Sequence, residues 1–84
     1  MNIAKTKNFL SQFARLPNSI KVIYEKQEVV FLANWFDERL HVKKLKELKG
    51  IFSFRVTRRY RVLFYFQNRE AIFFSIDHRK DIYE

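Results

Sequence analysis

Four arginines stand within the first nine residues of SFRVTRRYRVLFYF (residues 53–66), among side chains that belong in a core. A second concentration of reactive types, DHRKDIY (residues 77–83), lies at the end of the chain. Arginine carries a permanent charge on a fixed fork of donors, which suits it to phosphate and carboxylate oxygens. Burying an unpaired guanidinium is costly. The arginines must therefore share a wet face or hold something negative. Histidine, present here as His78, is the side-chain type that ordinarily titrates near neutrality.

The basic charge is concentrated. Residues 39–61 contain nine Lys or Arg against one acid, Glu47, so this stretch carries the whole formal net charge of +8. Such a concentration in a small domain is the electrostatic footprint of phosphate binding, and a strongly acidic protein partner would fit it equally well. Lys43, Lys44, Lys46 and Lys49 lie in the connector DERLHVKKLKELKG (residues 37–50). These lysines suit backbone phosphates, a contact that sets affinity without reading sequence.

Other chemistries are less favoured. There is no cysteine, which rules out disulfides and thiolate metal sites and fits a reducing cytosol. His41 and His78 have no ligand spacing around them, so no metal or cofactor is expected. No segment reaches the ~18–20 apolar residues of a membrane span, and the start, MNIAKTKNFLSQF, lacks the apolar stretch of a signal peptide. The reading is one cytoplasmic domain over residues 1–84, with 48% hydrophobic residues and ten Phe to fill a core.

The elements that must position these residues can be read from periodicity. The first four residues suit a short edge strand. Thr6 or Asn8 can cap a helix through Phe9, Leu10 and Phe13 to about Leu16. Pro17 cannot continue it but suits the first turn of a second helix, from about 17 to 34, whose apolar stripe is broken by Gln27. The connector is expected to pack through Leu40, Val42, Leu45 and Leu48, with His41 and Trp35 also in packing roles. From Ile51 the period becomes two, predicting strands at about 51–57, 60–66 and 71–77. The turns TRR and QNRE lack glycine, which leaves their type open.

Alternation then sorts the strands. Even positions, Phe52, Phe54, Val56, Val62, Phe64, Phe66, Ile72, Phe74 and Ile76, give a uniformly apolar face for the helices. Odd positions place Arg55, Arg61 and Arg79 on the opposite face, with Tyr65 and Phe73 beneath them, provided that no bulge intervenes. By the same alternation His78 points away from Arg79. Arg58 and Arg59 fall in a turn.

LKGIFSFRVTRRYRVLFYF followed by SIDHRKDIY, with FARLPNSI and LHVKKLK before them, resembles the RelE/ParE toxins of toxin–antitoxin systems over nearly the whole chain. The resemblance implies an α+β fold, a helical hairpin on a small, mainly antiparallel sheet in the order β-α-α-β-β-β. It also implies ribosome-dependent, metal-independent cleavage of mRNA in the A site by attack of the RNA 2′-OH. The alternatives are poisoning of DNA gyrase, as in ParE-like members, or an inactive homologue. A cognate antitoxin is the implied partner, with the 70S ribosome and mRNA, and an acidic segment is expected over the arginine face. By the same likeness Arg55, Arg61, Arg79 and Tyr83 are candidate catalytic residues, and His78 joins them as a candidate proton carrier. Lys43, Lys44, Lys46, Lys49, Arg58 and Arg59 are candidate RNA-binding residues. The pattern departs from the family at Ser53, where a lysine is usual, and in the short spacing from Arg79 to Tyr83.

Overall fold

The computed structural model describes residues 1–78. The chain runs β1 (Asn2–Lys5), α1 (Lys7–Ala14), α2 (Asn18–Ala33), a 3-10 turn (Glu38–Leu40), β2 (Lys43–Lys44), β3 (Phe52–Arg55), β4 (Tyr60–Gln67) and β5 (Glu70–His78). Two helices pack on a five-stranded sheet of order β1-β5-β4-β3-β2, parallel only between β1 and β5. The connector supplies a strand that periodicity did not reveal, because β2 is two lysines long. Leu48 is 54% exposed rather than packed, while Leu40 is fully buried as expected.

Helix α1 starts where Thr6 accepts a hydrogen bond from the Phe9 amide (3.2 Å), satisfying one of the free donors of a first turn. Pro17 sits at the start of α2. On α2, Phe31 sends its ring edge-on to Phe64 (5.2 Å) and Phe73 (5.0 Å) and lies tilted over Phe54 (5.4 Å). Aromatic pairs favour such edge-to-face contacts. Gln27, which looked like a gap in the stripe, donates to the Arg55 carbonyl (2.9 Å) and to the Arg39 carbonyl (3.4 Å). It links α2 to the end of β3.

Strand β5 departs from simple alternation. Leu63 pairs with Ser75 but Phe64 pairs with Phe73, so Phe74 is an extra residue that shifts the register. On its N-terminal side the faces exchange relative to simple alternation. Ala71, Phe73 and Ile76 are in the core, whereas Ile72 and Phe74, expected inside, are half-buried on the other face. Phe73, expected beneath the arginines, is fully buried against the helices.

The bulge also frees backbone groups at the β5 edge, where β1 stops at Lys5. Helix α1 covers them. The Thr6 amide donates to the Phe73 carbonyl (3.0 Å), Asn8 Nδ2 to the Phe74 carbonyl (2.9 Å), and Gln12 Oε1 accepts from the Ile76 amide (2.8 Å). Side-chain amides one helical turn apart thus stand in for the missing strand, as an unpaired sheet edge requires.

The β4–β5 turn places Asn68 (φ 51°) and Arg69 (φ 66°) in the left-handed region, the geometry of a type I′ hairpin, which favours Asn-Gly. Arg69 therefore holds a conformation that costs an L-residue roughly 1–2 kcal/mol. After allowing roughly 0.5–1 kcal/mol for glycine's freedom in the unfolded chain, Arg69→Gly should raise the melting temperature by a few degrees in a thermal scan. An unchanged or lower value would contradict the turn assignment.

Candidate functional site

Arg55 and Arg61 are directly opposed on β3 and β4, so both project from the face away from the helices. They differ in environment. Arg61 is 2% exposed, which corrects the expectation that alternation alone would leave it in water. Its Nε donates to Ser53 Oγ (3.1 Å) and its Nη2 to the His41 carbonyl (2.8 Å). The side chain thus lies across β3 and reaches the residues leading into β2. Ser53, itself fully buried, makes room for it. A longer side chain at position 53 would occupy the path the guanidinium takes.

The His41 carbonyl is aimed by its own backbone. His41 adopts φ 47° at the end of the 3-10 turn and its amide bonds the Glu38 carbonyl (3.2 Å). Histidine is one of the types that enters this region more readily. Its side chain is exposed, so the packing role expected for His41 is replaced by a backbone one. Upstream, Asp37 caps the turn at the Arg39 amide (2.9 Å) and takes Arg39 Nε and Nη2 at 3.0 and 2.9 Å. The hydrogen bonds from Arg39 hold the Asp37 carboxyl down at about 2.

Arg55 is half-buried, and its Nε–H is enclosed with no acceptor among the described residues. A buried donor left unpaired costs roughly 1–3 kcal/mol, more when charged. An anionic oxygen at this point would satisfy it. Lys43, the β2 partner of Ser53, lies on the same face and is exposed.

The other candidates are dispersed. Lys44 points to the opposite side of the edge strand, and Lys46 and Lys49 are exposed in the segment before β3. Arg58 and Arg59 are exposed in the β3–β4 turn, which Thr57 Oγ1 holds by accepting from the Arg59 and Tyr60 amides (both 3.2 Å). His78 opposes Tyr60, their rings 5.6 Å apart, on the helix side of the sheet and away from Arg55 and Arg61. Arg79 and Tyr83 lie outside the described residues. The structure therefore brings together Arg55, Arg61 and Lys43, with Ser53 and the His41 carbonyl as supports that residue types did not signal.

Searches against protein-family models and against curated proteins returned no match. Solved structures do match over almost the full chain. A chain of the RelB–RelE antitoxin–toxin complex from Methanococcus jannaschii is similar at TM-score 0.78 and 22% identity, covering 96% of this chain and 95% of that one. YafQ from E. coli is similar at TM-score 0.80 and 10% identity, covering 99% and 98%. A YoeB/ParE toxin from Agrobacterium tumefaciens gives 0.77 and 13%, covering 94% and 99%. The fold is thus that of the RelE-type toxins.

The contrast between the two arginines gives a stability prediction. Arg61→Ala removes the hydrogen bonds to Ser53 Oγ and the His41 carbonyl, so it should cost on the order of 2–4 kcal/mol in chemical denaturation. Arg55→Ala removes an unsatisfied group and should stay within about 1 kcal/mol of the parent. Equal losses would refute the division of roles. In acid, the Asp37 cap contributes above the ordinary carboxylate value of 3.8 and is lost as pH falls through about 2. The Arg39 amide signal should move over that interval in an NMR titration, and a flat trace would rule the cap out.

Proposed function

We propose that this chain, which has the RelE-type toxin fold, is the toxin of a toxin–antitoxin pair acting in the cytoplasm. On this reading it inhibits translation by cutting mRNA in the ribosomal A site, and a cognate antitoxin neutralises it. One observation carries the reading: the half-buried Arg55 guanidinium, its Nε–H unpaired, on a basic open face beside Arg61.

In this chemistry the RNA 2′-OH attacks the adjacent phosphorus. The O2′–P bond forms, the P–O5′ bond breaks, the hydroxyl proton leaves to a base and the departing 5′-oxygen takes one up. Arg55 fits the stabilisation of charge on the phosphoryl oxygens, where a permanent cation with preset donors is most effective. Arg61 has two of its donors committed to Ser53 and His41. It acts on this reading through position and charge, as a strut beside Arg55. Arginine is a poor base, and His78 faces Tyr60. The reading therefore assigns proton transfer to Tyr83, with Arg79 as a further phosphate donor. Lys43, Lys44, Lys46, Lys49, Arg58 and Arg59 hold ribosomal or messenger phosphates. The antitoxin brings an acidic segment over Arg55 and Arg61. The M. jannaschii structure, a toxin held by its antitoxin, supports a partner of this kind.

The burial of Arg61 favours one other reading, a non-catalytic toxin directed at DNA gyrase. Primer extension on a translated mRNA in an extract given the purified protein separates the two. The expected result is cleavage within the A-site codon, weakened about 10²-fold or more by Arg55→Ala. Uninterrupted translation without cleavage, together with cleaved DNA accumulating in a gyrase supercoiling assay, would overturn the ribonuclease reading.

A further inference from the structure

We infer that a pocket at the end of the sheet, where Asp77 stands across from Arg61 and reaches the first helix, is a subsite for a guanine base. The inference rests on the ribonucleic-acid reading above and names a determinant of its substrate. The cavity has a volume of about 150 Å³ and is lined by Gln12, Arg15, Leu16, Tyr60, Ile76 and Asp77. A cavity of that size holds one six-membered ring, so the pyrimidine ring of a purine would enter it and the five-membered ring would lie at its open mouth.

The lining supplies three kinds of contact that one planar ligand would need together. Tyr60, Leu16 and Ile76 offer ring and aliphatic surface, and aromatic side chains are the usual platforms for unpaired bases. Asp77 offers a carboxylate that is held in place. Its Oδ1 accepts from the His78 amide (2.8 Å) and its Oδ2 from Gln12 Nε2 (3.4 Å). Each oxygen keeps a second lone pair. Gln12 is itself fixed, because its Oε1 accepts from the Ile76 amide (2.8 Å). Arg15, which caps the C-terminal end of α1, is exposed.

Arg15 and Asp77 thus line one cavity with opposite charges. Yet the ion pairs among the described residues are Lys5–Glu28 and Arg39–Asp37. A ligand that presents acceptors to one and donors to the other would bridge them. Guanine does this among the four bases. Its O6 and N7 match the fork of an arginine, and its N1–H and N2–H groups match a carboxylate. Adenine and cytosine would set an amino group toward the guanidinium or an acceptor toward the carboxylate, and uracil has one ring donor to offer. The exposed Arg58 and Arg59 directly precede Tyr60. They are placed to take the phosphate of a nucleotide whose base enters the cavity, which would lead a single strand around the end of the sheet toward Arg55.

The test is an NMR titration of the full-length protein with 5′-GMP, AMP, CMP and UMP, which share ribose and phosphate and differ in the base. GMP should move the Gln12 side-chain amide, the Arg15 Nε–H and the Tyr60 ring signals, and should bind about tenfold more tightly than the other three. Arg15→Ala, at an exposed position, and Asp77→Asn should each abolish that preference. Equal binding of all four nucleotides, or shifts confined to Arg58, Arg59 and the lysines, would overturn the pocket. The ribonuclease reading can fail separately. A protein that selects GMP but cuts no mRNA keeps the subsite and loses the reaction. One that cuts mRNA without selecting GMP keeps the reaction and loses the subsite.

Discussion

The burial of Arg61 is the constraint around which the open face is built. A guanidinium taken out of water needs its donors satisfied, and here that need fixes its neighbours. Position 53 has to be small and able to accept a hydrogen bond, and the chain at His41 has to turn left-handed so that a carbonyl points back. The connector must then lie close enough to add β2. One side chain thereby joins β4, β3 and the segment entering β2. Arg55, its cross-strand partner, is left with an unpaired Nε–H. The same cationic type serves as a strut at one position and as an open grip at the next.

A second constraint lies at the other end of the sheet. The extra residue Phe74 moves Phe73 and Ala71 into the core and turns Ile72 and Phe74 outward. The edge this leaves is completed by Thr6, Asn8 and Gln12 of the first helix rather than by a strand. Because Gln12 also reaches Asp77, the device that closes the sheet shapes the pocket beside Tyr60. Fold stability and the proposed base contact therefore share one glutamine.

Much of this was legible in the sequence. Helix starts, the Pro17 break and the three C-terminal strands follow from capping chemistry and from a change of period at Ile51. Alternation placed Arg55 and Arg61 on one face, and set His78 opposite, because β3 and β4 pair without interruption and β4 and β5 do so between Tyr60 and Leu63. It failed from Ala71 to Phe74, since no residue type announces a bulge whose carbonyl is satisfied by Asn8 some 66 positions away. Exposure failed for Arg61 for a related reason. Its acceptors are a serine two residues along the partner strand and a main-chain carbonyl, and only the second depends on a distant turn. Gln27 looked like a defect in an apolar stripe because its acceptors, two backbone carbonyls, are not visible in side-chain types.

The open face works as described only if Arg55 is open to an anion while Arg61 is committed to the protein. Arginine Nε–H signals report this directly when the free protein is titrated with inorganic phosphate. The Arg55 signal should shift with phosphate, while the Arg61 signal stays fixed and exchanges slowly with solvent. A phosphate-dependent shift at Arg61 with none at Arg55 would contradict the assignment of both residues.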